Sequence, residues 1–307
     1  MRAAVVCARC MFGEMENQMA KKTGFIGLGI MGSRMAMNLQ KAGAPLVVYN
    51  RSSDKADALV VGGAVLAESP AEVAAECDVV YTMLSTPAVV REVALGENGF
   101  LDHLSEGSLW VDCSTVNPSF NLEMNAACEA RGIRYLDAPV AGTKGPAEAG
   151  QLLFLVGGTE EEAGEITGHL DAMGKKTLYF GARSKGAAMK MLINQLLGLT
   201  MLSFAETLRL GEAQGIPLSQ CLDVLLATPV AAPFLSAIRP KLENAAYDPN
   251  FPLQWLQKDL HLAAVTAFEH GAALPTLNTA KEVYALARNE GYGEKDFTAV
   301  FEFLSGR

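Results

Sequence analysis

Positive charge is scarce in this chain. Its 25 lysines and arginines stand against 34 aspartates and glutamates, a net charge of −9 over 307 residues. With no basic face to compensate, the balance argues against a nucleic-acid binder, and a small anionic substrate has to be drawn in by a local positive cluster. The six cysteines are scattered, and the C-x-x-C spacing at Cys7 and Cys10 is followed by no second pair and no histidine cluster. No metal site is therefore expected, and the thiols fit the reducing interior of a cytoplasmic enzyme. The most apolar run, Met191 to Ala205, is shorter than a membrane span and contains Asn194 and Gln195, so no membrane segment is expected. Residues 1–22 precede the first fold signal. Arg2 and the short apolar stretch after it resemble a targeting segment only faintly, and Glu14 and Glu16 interrupt it. An ill-ordered extension is the expectation, with Met15 or Met19 as alternative starts.

Half of the residues are hydrophobic and 19% are charged, a globular composition at a length sufficient for two cores. The stretch that organises the chain is Gly24 to Lys55, GFIGLGIMGSRMAMNLQKAGAPLVVYNRSSDK. A short apolar strand turns through Gly27, Gly29 and Gly32 into a helix, and a second apolar strand follows at Leu46 to Tyr49. Gly27 permits the tight turn, Gly29 lets backbone approach a pyrophosphate, and Gly32 lets the helix pack on the strand. The helix N-terminus offers unpaired N–H groups and partial positive charge to phosphates. A dinucleotide is thus expected on Gly27, Leu28, Gly29, Ile30, Met31 and Gly32.

At the end of the second strand, an NAD site would carry a carboxylate for the ribose hydroxyls. Here stand Asn50, Arg51, Ser52 and Ser53, with no carboxylate before Asp54. A guanidinium with neighbouring hydroxyls suits a 2′-phosphate, which favours NADP(H) over NAD(H). The alternative is that Arg51 stacks on the adenine and both cofactors bind.

Beyond this unit, strand and helix signals alternate. Strands are expected at Asp78 to Leu84, Leu109 to Asp112 and Arg134 to Asp137, with Leu152 to Val156 and Thr177 to Phe180 completing the same sheet. Ligands of an open parallel sheet collect beyond the carboxyl ends of its strands, so Leu84, Ser85, Thr115 and Ala141 are expected to face the crevice that holds Gly29. From Ser184 onward the pattern is helical, punctuated at Pro217, Pro229, Pro249 and Pro275. The expected fold is a doubly wound α/β Rossmann-type domain over residues 23–183 and an all-α domain over 184–307, joined by a long interdomain helix, Lys185 to Gln214. That helix is apolar almost all round until Glu206, so it must be covered on several sides, by the two domains or by a second subunit. A homodimer or homotetramer is the expectation.

Within it, Lys190 and Asn194 share one face in apolar company (AAMKMLINQLLG). A lysine there either snorkels to the surface or occupies a polar cleft. Lys258 in LQWLQKDLHLAA admits the same two readings, the plainer being an ordinary surface charge paired with Asp259.

Four separated motifs, GFIGLGIMG, DAPVAGT at Asp137 to Thr143, GAAMKMLIN at Gly186 to Asn194 and KDLHLA at Lys258 to Ala263, resemble the β-hydroxyacid dehydrogenase family from Thr23 to Phe303. TKGPAEAGQL and FPLQWLQKDL look closest to its glyoxylate and succinic semialdehyde reductase branch. The resemblance implies that Lys190 is catalytic and Asn194 its hydrogen-bonding neighbour, that Thr115 contacts the cofactor, and that Lys258 reaches the nicotinamide end or the substrate carboxylate. It places the substrate on Ala141, Gly142 and Thr143. The four histidines (His103, His169, His261, His270) fall outside the motifs. One position departs from the pattern: the family usually has serine where this chain has Ala141, and losing one hydrogen bond to a carboxylate costs about 1.5–3 kcal/mol unless Thr143 substitutes. Imine reductases are similar in architecture but generally lack a lysine at the position of Lys190. The resulting expectation is NADPH-dependent reduction of small aldehyde acids. Its rivals are oxidation of 3-hydroxyisobutyrate or a related hydroxyacid, and a non-catalytic cofactor-binding interaction protein.

Overall fold

The computed structural model describes residues 21–306, and the expected extension, apart from Lys21 and Lys22, lies outside the described residues with Cys7 and Cys10. The chain divides into two compact units that meet in sequence at Lys190 and Met191.

The first unit is built on six parallel strands: β1 (Thr23–Ile26), β2 (Leu46–Tyr49), β3 (Val65–Leu66), β4 (Val79–Thr82), β5 (Leu109–Asp112) and β6 (Arg134–Asp137), in the order β3-β2-β1-β4-β5-β6. Consecutive residues feed opposite faces. Phe25, Val48, Tyr81 and Val111 enter one core, while Ile26, Val47, Val80, Trp110 and Tyr135 enter the other. Helices cover both faces, which is why the strands are apolar without a break. The expected strand at Asp78 to Leu84 is shortened to β4, and β3 was not foreseen: it has two residues, both exposed, at the sheet edge.

The expectation that Leu152 to Val156 and Thr177 to Phe180 complete this sheet is wrong. They lie in a separate three-stranded sheet of β7 (Val140–Ala141), β8 (Leu152–Val156) and β9 (Gly174–Tyr179), with β7–β8 antiparallel and β8–β9 parallel. The cause is Pro139, which has no N–H to extend the ladder beyond β6. Its carbonyl instead accepts the N–H of Leu155 at 2.9 Å, and Gly157, the residue after β8, forms an antiparallel bridge with Asp137 at the end of β6.

The second unit is helical, with helices at Leu218–Leu226, Pro233–Glu243, Leu253–Glu269, Pro275–Ala287 and Val300–Phe303. Pro233 and Pro275 stand in the first turn of theirs, where a missing N–H is harmless. Met201, Leu208, Leu222, Leu256, Leu260 and Tyr284 lie in its core. The long helix, Lys185–Ala213, runs from the first unit into the second. By length and composition it could cross a membrane, which inspection of Met191 to Ala205 alone understated. It contributes Met201, Ala205 and Leu208 to the second core, as the core helix of a globular unit does. Its covering is incomplete, since Leu192 is 59% exposed, Leu196 69% and Leu210 63%.

Candidate active site

The glycine turn is shaped as its sequence requires. Gly27 has φ +100°, and a Cβ there would collide with the Met83 carbonyl. A Cβ on Gly32 would collide with the Gly27 carbonyl, so the helix Gly32–Lys41 can begin this close to β1 only without a side chain. Gly29 is different: it is exposed, and nothing lies within 4 Å of the place its Cβ would occupy. That open space at a helix N-terminus fits a pyrophosphate. Leu28 is buried, while Ile30 and Met31 are half-buried at the start of the helix.

Asn50 joins this turn to the end of β2. The Leu28 N–H donates to Asn50 Oδ1 at 2.9 Å, and Asn50 Nδ2 donates to the Ser52 carbonyl at 3.0 Å. Asn50 therefore braces the loop, leaving Arg51, Ser52 and Ser53 exposed beside it.

A buried polar network fixes the loops after β4 and β5. Asp112, fully buried, accepts from Thr82 Oγ1 at 2.8 Å and from the Ser114 N–H at 2.9 Å, and Ser114 Oγ accepts the Leu84 N–H at 2.9 Å. Burial raises the Asp112 carboxyl above its ordinary range, and the hydrogen bonds from Ser114, Thr82 and Tyr135 work against that rise. Leu84, Ser85 and Thr115, all half-buried, are thus carried on two loops tied to each other. Sequence reasoning passed over Asp112, although a carboxylate ending an apolar strand was a signal that it caps something.

Lys190 is 8% exposed, and Asn194, one turn further along the same helix, is 3% exposed. Neither snorkels. Ala141 is half-buried in β7, Gly142 has φ +134°, and Thr143 precedes the short helix Lys144–Glu148. The left-handed backbone at Gly142 explains why glycine follows Ala141.

In the second unit, Asn194 and Lys258 meet on one residue. Asn194 Nδ2 donates to Asp259 Oδ2 at 2.6 Å, and Lys258 Nζ lies 2.7 Å from Asp259 Oδ1. The side chains of Lys258 and Asp259 are 15% and 2% exposed, so the pair foreseen as an ordinary surface charge has a half-buried lysine and a buried carboxylate. Asp259 was missed as a site residue. The signal was its place on the apolar stripe Leu256, Asp259, Leu260, Ala263, where a carboxylate must be neutralised. His103, His261 and His270 are exposed, and His169 is buried with Nδ1 3.1 Å from the Tyr81 hydroxyl.

The chain matches known proteins along nearly its whole length. The family model for the NAD binding domain of 6-phosphogluconate dehydrogenase matches residues 22–181, and that for the NAD-binding domain of NADP-dependent 3-hydroxyisobutyrate dehydrogenase matches residues 184–304. The chain is 38% identical over 281 residues to glyoxylate/succinic semialdehyde reductase 1 of Arabidopsis thaliana, covering 92% of this chain and 97% of that protein. The solved structure of Mycobacterium tuberculosis 3-hydroxyisobutyrate dehydrogenase with L-serine superposes with a TM-score of 0.83 at 30% identity, over 93% of this chain and 99% of the other. That of Psf3 in complex with NADP+ and 2-OPP gives a TM-score of 0.83 at 27% identity, over 92% and 99%. A glycine turn with room for a pyrophosphate, two braced loops beside it and matches along nearly the whole chain show that this protein belongs to the β-hydroxyacid dehydrogenases of the 3-hydroxyisobutyrate dehydrogenase type, which use NAD(P).

Proposed function

We propose that this protein uses NADPH to reduce small aldehyde acids, glyoxylate and succinic semialdehyde first among them, with Lys190 as proton donor. The observation that carries this reading is a nearly buried lysine on the same helix face as a buried asparagine, at the position the family motif assigns to catalysis. The reduced nicotinamide, when bound, supplies the hydride. As negative charge grows on the aldehyde oxygen, the Lys190 ammonium stabilises it and transfers a proton, giving the hydroxyacid and a neutral amine. In the oxidising direction the same amine accepts the alcohol proton. Burial strengthens the interaction, because a charge screened from water acts over a lower dielectric. Asn194 and Lys258 are assigned to substrate and cofactor with Asp259 as their common anchor, and Gly142 and Thr143 to the substrate carboxylate.

Preference for NADPH is supported by the end of β2. Asn50 is already engaged with Leu28 and Ser52, and the exposed Arg51 and Ser52 remain to receive a 2′-phosphate. A second reading, oxidation of 3-hydroxyisobutyrate or a related hydroxyacid, is supported by the likeness to the Mycobacterium tuberculosis 3-hydroxyisobutyrate dehydrogenase; Ala141 does not separate the two, since both substrates carry a carboxylate. We also assign the partially bare face of Leu192, Leu196 and Leu210 to contact with a second copy, as homodimer or homotetramer, which light scattering would check. A cytoplasmic location fits the free, buried thiols of Cys77, Cys113, Cys128 and Cys221.

The deciding experiment follows NADPH oxidation with succinic semialdehyde, glyoxylate, methylglyoxal and tartronate semialdehyde, with NADH in parallel. Turnover of one or two of the acids with NADPH supports reduction. Activity confined to NADP with a β-hydroxyacid moves the protein to the dehydrogenase branch, and failure with every substrate despite cofactor binding favours the non-catalytic reading.

A further inference from the structure

The start of the long helix is capped from a distance. Ser184 stands just before it, where a serine would ordinarily cap the helix from an extended backbone. Its φ is +68°, a left-handed conformation that a residue with a Cβ adopts at a cost. The cap comes instead from Asp137, the last residue of β6 and fully buried. Asp137 Oδ1 accepts the Ser184 N–H at 2.8 Å, and Oδ2 accepts the Ala187 N–H at 2.9 Å. One carboxylate thus satisfies two N–H groups that no helical carbonyl reaches. The surroundings are cut to fit it. A Cβ on Gly157 would collide with this carboxylate, and one on Gly186 with the Leu155 carbonyl, so both positions need glycine. The Asp137 main chain is held as well, its carbonyl accepting the Gly157 N–H at 2.8 Å.

Lys190 lies one helical turn beyond Ala187. We propose that Asp137 is a positioning residue for Lys190, its carboxylate clamping the first turn of the long helix and so setting the rotation and depth at which the lysine amine is presented. This rests on the reading of Lys190 as proton donor. A buried carboxylate is an expensive way to cap a helix. Burial pushes the Asp137 carboxyl up to about 6, Asp112 on the neighbouring strand adds to the rise, and the Ala187 and Ser184 N–H groups oppose it. A neutral side chain would avoid this penalty, but it could not accept from both N–H groups while matching the positive end of the helix dipole. The gain from the charge is a fixed orientation, and an error near 1 Å in the placement of a reacting group can lower a rate by about 100-fold.

The test uses the full-length enzyme with NADPH and its best aldehyde acid. Asp137→Asn, Gly157→Ala and Lys190→Ala would be compared for kcat, for KM and for NADPH affinity by fluorescence titration. Asp137→Asn keeps one acceptor and turns a donor toward the other N–H; Gly157→Ala leaves Asp137 in place but displaces its carboxylate. The proposal expects kcat to fall about 10- to 100-fold in either variant, with NADPH affinity and aldehyde KM within about twofold of the parent. Wild-type kcat in both variants, when Lys190→Ala is inactive, would overturn the clamp and leave the lysine standing. Loss of NADPH binding in step with activity in both variants would also overturn it, since Asp137 would then only support the fold. Full activity in Lys190→Ala would remove the proton donor itself, and the clamp with it.

Discussion

Asp137 in the first unit and Asp259 in the second are both buried carboxylates, satisfied in opposite ways. In the first, Asp137 is satisfied by main-chain N–H groups at a helix start, and Asp112 by a serine N–H and hydroxyls. In the second, Asp259 is satisfied by the side chains of Lys258 and Asn194. Main-chain donors are present whatever the local side chains are, so the α/β unit builds its polar sites from strand ends and turns. The helical unit uses main-chain donors where a loop offers them, since Asp296 accepts the N–H groups of Asn250, Phe251 and Thr298. Asp259 lies inside a helix whose backbone groups are already paired, so it depends on which side chains face it.

That contrast should be sharpest in stability. Asp259→Ala removes the carboxylate that the half-buried Lys258 and the buried Asn194 share, and a loss of about 3–5 kcal/mol is expected on chemical denaturation. A loss below about 1 kcal/mol would mean that Lys258 and Asn194 are satisfied without it, and the contrast with Asp137 would fail.

The next effect is the pH dependence that Asp137 imposes. Its carboxyl, pushed up to about 6 when folded, stands above the ordinary value near 3.9. The folded chain therefore holds this proton more tightly than the unfolded one. The stabilising contribution is complete below about pH 4 and is lost as pH rises through about 6, a change on the order of 3 kcal/mol. Asp112 and Tyr135 are the titratable groups coupled to it. Subtracting the stability–pH curve of Asp137→Asn from that of the parent should isolate the slope; parallel curves would show that the carboxyl titrates normally.

Two smaller effects concern ligands. Arg51→Ala should raise the KM for NADPH by about 30- to 100-fold and leave that for NADH nearly unchanged, as removal of a charge-assisted bond to a phosphate requires. Equal effects on both cofactors would mean that Arg51 stacks on the adenine. Ala141→Ser should lower the KM for carboxylate-bearing aldehydes by about three- to tenfold. No change would mean that Thr143 or the main chain already serves that carboxylate.

Legibility in the sequence followed the same division. The glycine turn was readable because each glycine answers a local constraint: the positive φ of Gly27, the open space at Gly29, the close approach at Gly32. Strands β2, β5, β6 and β8 were readable from short apolar runs with clear ends, and the long helix ends one residue before the expected Gln214. Strand pairing was not readable, because whether β8 joins β6 or β7 depends on where Pro139 turns the chain. Asp137 was hidden for a related reason, as was the second partner of Asp259: its pairing with the adjacent Lys258 was foreseen, but Asn194 lies 65 residues away.

By itself, the sequence determined the α/β-then-helical order, the glycine turn for a dinucleotide, the lack of a carboxylate at the end of β2 and the helical spacing of Lys190 and Asn194. These rest on interactions between near neighbours in the chain, which composition and periodicity record. Only the tertiary structure decided that two sheets form rather than one, that Asp259 is buried against Asn194, and that Asp137 caps a helix 47 residues away. Each of those is a choice among partners distant in the chain, settled by which buried polar groups can be satisfied together.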